Sequence, residues 1–109
     1  ANTHILEIKK DELVNHAVII GYGRGGKHMG EVLEKLSVSM LVIEADAERI
    51  TSLNQRGIPT LYGDASNSEV IDHAHLDRAR VLVVTIPDET SAQMIVTAAK
   101  DLNPDLRHL

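Results

Sequence analysis

Apolar residues in this chain arrive in short blocks, and between the blocks they recur at helical spacing. The runs AVIIG (17–21), SMLVIE (39–44), PTLY (59–62) and RVLVVTI (80–86) have strand length and are mostly flanked by turn residues, and LRHL (106–109) begins a fifth. Runs that do not alternate suit strands covered on both faces, as in a parallel sheet. Met29, Val32, Leu33 and Leu36 fall at i, i+3, i+4 and i+7, which predicts one helical stripe facing that sheet. Asp46 is placed to cap a second helix with Ile50 and Leu53 inward and Gly57 as its stop. Ser66 and Glu69 form a candidate capping box ahead of Val70, Ile71 and Ala74. Asp88 would cap the last helix, with Met94, Ile95, Ala98, Ala99 and Leu102 inside and Asn103-Pro104 as its end.

The order is therefore βαβαβαβαβ, and right-handed crossovers make it an α/β, doubly wound, mostly parallel sheet in a single domain. Its ligand crevice should lie at the carboxyl ends of the strands. The opening residues 1–15 have mixed charge and no sustained period, so they read as a linker or tether, with the domain over 16–109. The last strand has only begun where the sequence stops, the pattern expected of a piece of something longer, such as a membrane protein.

Within that frame, Gly21, Gly23 and Gly26 match G-x-G-x-x-G between a predicted strand and a predicted helix, where the motif has mechanical meaning. Gly21 would permit the tight turn, Gly23 would let a pyrophosphate meet bare backbone, and Gly26 would let the helix pack closely. Gly30 extends that contact by one helical turn. The helix aims free N–H groups and its positive dipole end at the crevice, and Arg24 adds a fixed cation. A plain glycine turn with a surface arginine is the bland alternative. Against it stands Glu44, 18 residues beyond Gly26 at the end of the second strand, where a carboxylate accepts ribose hydroxyls. A carboxylate there also repels a 2′-phosphate, which favours NAD-type or plain adenosine ligands, with Arg49 nearby as the countervailing charge. Asp46 reads as a cap before a ligand group. Asp64, in the turn Gly63-Asp64-Ala65 after the third strand, could accept from an adenine amino group or serve the turn. Thr85 and the Ile86-Pro87 backbone close the far side of the crevice.

Composition narrows the function. With no Phe or Trp and only two tyrosines, there is little to stack on bases, and 16 acidic against 11 scattered basic residues disfavour binding a phosphate backbone. Nucleic acid is not an expected partner. The absence of cysteine removes thiolate catalysis and sulfur metal sites. His73 and His75, two apart on a predicted helix, point about 200° apart, so no metal site is expected in DHAHLD. A receiver domain would need carboxylates at the end of the first strand to hold magnesium, where this chain has Gly21-Tyr22-Gly23. The nucleotide-binding part of an NAD-dependent oxidoreductase is the competing reading. Yet a short-chain dehydrogenase needs a Tyr with Lys four residues on, and here Gly26 follows Tyr22 and Ser66 follows Tyr62 at that distance. No catalytic residue is assigned.

Taken together, VIIGYGRGG, LVIEAD, GIPTLYGDAS, ARVLVVTIPDE and NPDL, spread over Asn15 to Leu109, resemble the RCK or KTN family, regulators of potassium conductance also called TrkA N-terminal domains. The stretch IDHAHLDRARVLVVTIPD is further similar to the cytoplasmic domain of Kef-type monovalent cation:proton antiporters. The resemblance implies a Rossmann-like regulatory domain that binds AMP or NAD(H), with ATP or ADP as further candidates, and changes ion transport. The implied partners are a membrane-embedded cation transporter, in the same polypeptide or as another subunit of an inner-membrane assembly, and a second copy in a homodimer or larger. By matching position it places Gly21, Gly23, Arg24 and Gly26 in the phosphate loop and Glu44 at the ribose; Tyr22 and Gly25 within the loop and Ala45, Asp46 and Arg49 beside Glu44 are further candidate binding residues. Gly63, Asp64 and Ala65 fall on the adenine side, with Thr85, Ile86 and Pro87 facing the ligand. Two departures are visible: the family more often has an apolar residue where Gly25 stands, and Asp where Glu44 stands. The longer acid should move the ribose contact outward.

Overall fold

A computed structural model of the chain describes residues 13–108. It contains β1 (Ala17–Ile20), α1 (Arg24–Lys35), β2 (Met40–Glu44), α2 (Ala47–Gln55), β3 (Thr60–Tyr62), α3 (Ser68–His73), a 3₁₀ turn (Leu76–Arg78), β4 (Val81–Val84), α4 (Glu89–Leu102) and β5 (Arg107–His108). The five strands form one parallel sheet in the order β3-β2-β1-β4-β5. This is the doubly wound arrangement expected, with the direction of winding reversing between β1 and β4. Of the residues read as a tether, 1–12 lie outside the described part. Asn15 N–H donates to the Arg78 carbonyl at 2.7 Å.

Alternation along each strand splits the core in two. Val18, Ile20, Leu41, Ile43 and Leu82 meet Leu76, Ile95 and Ala99 on one face of the sheet. Ala17, Ile19, Met40, Val42, Val81 and Val83 meet Leu33 and Leu53 on the other. Both faces being covered explains why these strands are apolar at every position but the last of β2, Glu44. The register pairs Ile20 with Ile43 and with Val84, so the loops after β1, β2 and β4 leave the sheet at one level. That level is the floor of the crevice.

Several helix expectations need correction. On α1 the buried residues are Gly26, Gly30 and Leu33, while Val32 is exposed and Leu36 is 66% exposed. The helix sits closer to the sheet through its glycines than a stripe of large residues would allow, which turns the predicted stripe partly outward. On α4 only Ile95 and Ala99 are fully buried, and Met94, Ala98 and Leu102 form an exposed apolar row. The cap of α3 is Asn67, whose side chain accepts from Glu69 N–H at 2.9 Å, so Ser66 and Glu69 make no capping box. His75 does not belong to a helix at all: it adopts a left-handed conformation (φ 53°) between α3 and the 3₁₀ turn. Asp46 and Asp88 cap α2 and α4 as read, and Gly57, at φ 75°, takes up the left-handed turn just past α2. Among the described residues no helix is long and apolar enough to cross a membrane, and no group of three or more His, Asp or Glu could hold a metal ion.

Candidate functional site

The carboxyl end of β1 turns through Gly21 at φ 85°, a conformation that L side chains rarely adopt. Space is as short as torsion there. A Cβ on Gly21 would lie 2.8 Å from Thr85 Oγ1, and one on Gly26 would run into the Gly21 carbonyl and lie 3.1 Å from the same hydroxyl. Thr85 donates to the Gly21 carbonyl at 2.7 Å and its own N–H donates to Ile20 O at 2.9 Å, clasping the ends of β1 and β4 together. Gly30 has a separate reason: a Cβ would stand 2.6 Å from the Tyr22 hydroxyl. Three glycines are thus required by the protein's own packing.

Gly23 and Gly25 are not. Gly23 sits at φ −73°, open to any residue, and the nearest atom to its Cβ position is Arg49 Nη1 at 4.0 Å; around Gly25 the nearest is Thr85 Cγ2 at 3.9 Å. The bare backbone at these two positions faces space. Gly23 is also the N-cap of α1 and supplies no side-chain cap, and the first turn carries no acid. The other three α-helices are capped by Asp46, Asn67 and Asp88 and carry Glu48, Glu69 and Glu89 in their first turns. So the N–H groups that open α1 have neither an intrahelical acceptor nor a capping side chain, and no local carboxylate cancels the dipole. Arg24 projects from this turn, exposed.

Glu44 ends β2 and is 6% exposed. Its Oε1 accepts from Tyr22 N–H at 2.8 Å and lies 3.4 Å from Arg49 Nη1, and its Oε2 accepts from Asp46 N–H at 2.8 Å. The extra methylene therefore folds the carboxylate back onto the loops instead of carrying it outward. A carboxylate oxygen has two acceptor positions, so Oε2 keeps one for a ligand hydroxyl. Tyr22, by contrast, spends its N–H on Glu44 and buries its ring, leaving nothing of its own for a phosphate. Asp46 Oδ1 accepts from Glu48 N–H at 2.9 Å, so it is occupied as the cap; Ala45 is exposed beside it.

Across the crevice, Asp64 Oδ1 accepts from both the N–H and the hydroxyl of Ser66 at 2.8 Å, and these bonds hold its pKa below the ordinary carboxylate value. Its turn role is thus filled, with Oδ2 left over. Ala65 points into the core, so only its backbone and that of Gly63 border the crevice side. Ile86 lies against Gly21 and Pro87 is exposed. The structure brings the glycine loop, Glu44, Arg49 and the β4 end together at the switch point. Sequence reading missed Lys27 and Arg56, which share a cavity with Arg49; the seven-residue spacing of Arg49 and Arg56 on one face of α2 was a usable signal.

The chain matches the family model of the TrkA-N domain over residues 17–109. It is 39% identical over 95 residues to the putative cation/proton antiporter YbaL of Escherichia coli (strain K12), covering 87% of this chain and 17% of that protein. The crystal structure of the TrkA-N domain of the inner membrane protein ybaL from Escherichia coli is similar with TM-score 0.85 and 38% identity, over 89% of this chain and 72% of that one. The Kef CTD of Shewanella denitrificans, solved in AMP-bound form, is similar with TM-score 0.74 and 26% identity, over 86% and 56% of the two chains. The chain spans less than a third of the length of the curated relatives it matches.

Proposed function

The chain belongs to the TrkA-N domain family, and on that footing we propose that it is a regulatory domain which binds an adenine nucleotide and controls a Kef-type cation:proton antiporter. The observation that carries the reading is the open N-terminus of α1, where Gly23 and Gly25 leave amides unshielded and uncapped. A 5′-phosphate rests on the N–H groups of Gly23 to Gly26, with Arg24 and Arg49 as counter-charges. One ribose hydroxyl donates to Glu44 Oε2, and the adenine lies toward Gly63-Asp64-Ala65. AMP fits this description without further groups, and a Kef relative has been solved in AMP-bound form. NAD(H), ADP and ATP share the same adenosine phosphate part.

The role is sensing, not catalysis. The Tyr22 ring is committed to the core against Gly30, which supports a reading without hydride chemistry. The domain acts at the cytoplasmic face of an inner membrane, in the same polypeptide as the transporter or as its subunit, and works as a dimer or larger assembly. Ligand shifts the population between two packings of the assembled domains, and only a nucleotide with different affinities for the two packings switches transport.

Calorimetric titration with AMP, ADP, ATP, NAD and NADH, run beside an NADH-oxidation assay with simple carbonyl compounds, tests both halves. Saturable binding of at least one nucleotide without turnover is expected. Turnover of NADH would favour the oxidoreductase reading, and no binding by any of the five would sink the sensor.

A further inference from the structure

Beside the glycine loop, on the α1 and α2 face of the sheet, lies a second cavity of about 510 Å³. Lys27 and Glu31 of α1 border it on one side, Arg49 in the first turn of α2 and Arg56 just past its last residue on the other, and Tyr22 lies beneath. Three cations thus face one carboxylate. Glu34, outside the lining, is already paired with Arg56 at 2.6 Å, and Lys27 has no ion pair among the described residues. The Tyr22 hydroxyl is shut off from solvent and meets no partner in hydrogen-bond geometry. It lies beside the Arg56 guanidinium and, together with Glu34, helps hold that group charged. Arg49 connects this cavity to the crevice, because its Nη1 reaches to within 4.0 Å of the Cβ position of Gly23.

We propose that this cavity is a second oxyanion subsite, which takes a phosphate group next to the nucleotide crevice. Two arginine forks and a lysine converge from different directions, which suits a tetrahedral oxyanion better than a flat carboxylate. Arg49, 3.4 Å from Glu44 Oε1, supplies the positive charge that offsets the Glu44 carboxylate on this side. The phosphate has two possible sources, the ribose C2′ of the bound nucleotide or inorganic phosphate from solution. The first source rests on the nucleotide reading above; the second does not.

The test compares AMP with adenosine 2′,5′-bisphosphate by calorimetry at fixed ionic strength, and adds inorganic phosphate to both free and AMP-saturated protein. In wild type, either the bisphosphate binds about tenfold tighter than AMP, as one or two charge-assisted hydrogen bonds would give, or inorganic phosphate binds saturably. In Lys27→Gln and Arg56→Gln that gain falls below about threefold while AMP affinity stays within about twofold, and Arg56→Lys restores part of it. Circular dichroism confirms that each variant is folded, since the exposed Arg56–Glu34 pair contributes little to stability. No gain in either arm, or a gain that both variants keep, overturns the subsite. Absence of AMP binding to wild type overturns the nucleotide reading instead, and the phosphate arm on free protein then decides the subsite alone.

Discussion

Replacing Gly26 and Gly23 one at a time by alanine should separate what the loop needs for folding from what it needs for a ligand. In Gly26→Ala the new methyl runs into the Gly21 carbonyl and lies 3.1 Å from Thr85 Oγ1. The obstacle is backbone, pinned by Thr85 and by the Gly21 N–H to Ile43 O bond at 2.9 Å, so it cannot swing aside. Overpacking of this kind costs about 1–3 kcal/mol, and the rigid obstacle puts it at the upper end. Alanine's better helix propensity returns about 1 kcal/mol. The net loss of about 1–2 kcal/mol corresponds to about 5–10 °C in Tm for a domain of this size. Gly23→Ala meets nothing closer than 4.0 Å and keeps an ordinary φ, so stability should change by less than about 1 kcal/mol, the poorer N-cap offset by lower unfolded-state entropy. Its methyl nevertheless stands where the phosphate approaches, and AMP affinity should fall at least about tenfold, the loss of one charge-assisted contact. Thermal melting by circular dichroism and calorimetric titration measure the two effects. If Gly23→Ala melts as early as Gly26→Ala, or binds AMP as wild type does, the division of labour among the glycines is wrong.

Glu44→Gln keeps the shape but leaves one of the Tyr22 and Asp46 N–H groups facing an amide nitrogen, so urea unfolding should show a loss of about 1–3 kcal/mol. Asp88→Ala removes the cap of α4 and should lower the urea midpoint by the equivalent of about 1 kcal/mol, with nucleotide affinity unchanged. His16 is fully buried, with Nε2 on the Ala74 carbonyl at 2.9 Å and Nδ1 without a hydrogen-bond partner; burial first, then Arg78 and His75, lower its pKa from 6.5, while the Ala74 bond and Asp77 oppose the shift. The unfolded chain therefore binds this proton first, so stability should be level above pH 6.5 and decline as pH falls below it, with a shallower decline in His16→Gln. Asp64 and Asp88, both depressed by their serine and backbone bonds, act in a separate window, their contribution being present above pH 3.8 and lost as pH falls through their lowered values.

The strands and their succession along the chain were legible because β1, β2 and β4 are buried on both faces and so are apolar up to Glu44 at the end of β2. The glycine motif was legible because its three positions answer to three local demands within one turn. Side-chain direction on the helices was harder to read. Val32 and Leu36 fit a helical stripe, but with Gly26 and Gly30 on the buried face α1 approaches the sheet through bare backbone, and the larger residues are displaced outward. Met94, Ala98 and Leu102 misled for a related reason: periodicity shows that a face is apolar without showing what covers it. The fold-back of Glu44 depends on where the amides of Tyr22 and Asp46 stand in space, and residue type alone does not encode that.

The Thr85 hydroxyl, set between the ends of two adjacent strands, acts as a rivet at the root of the cleft. A cleft riveted there cannot widen by spreading its strands. Whatever an occupant changes must leave through the mouth and the outer surfaces of the helices, where another protein surface can feel it.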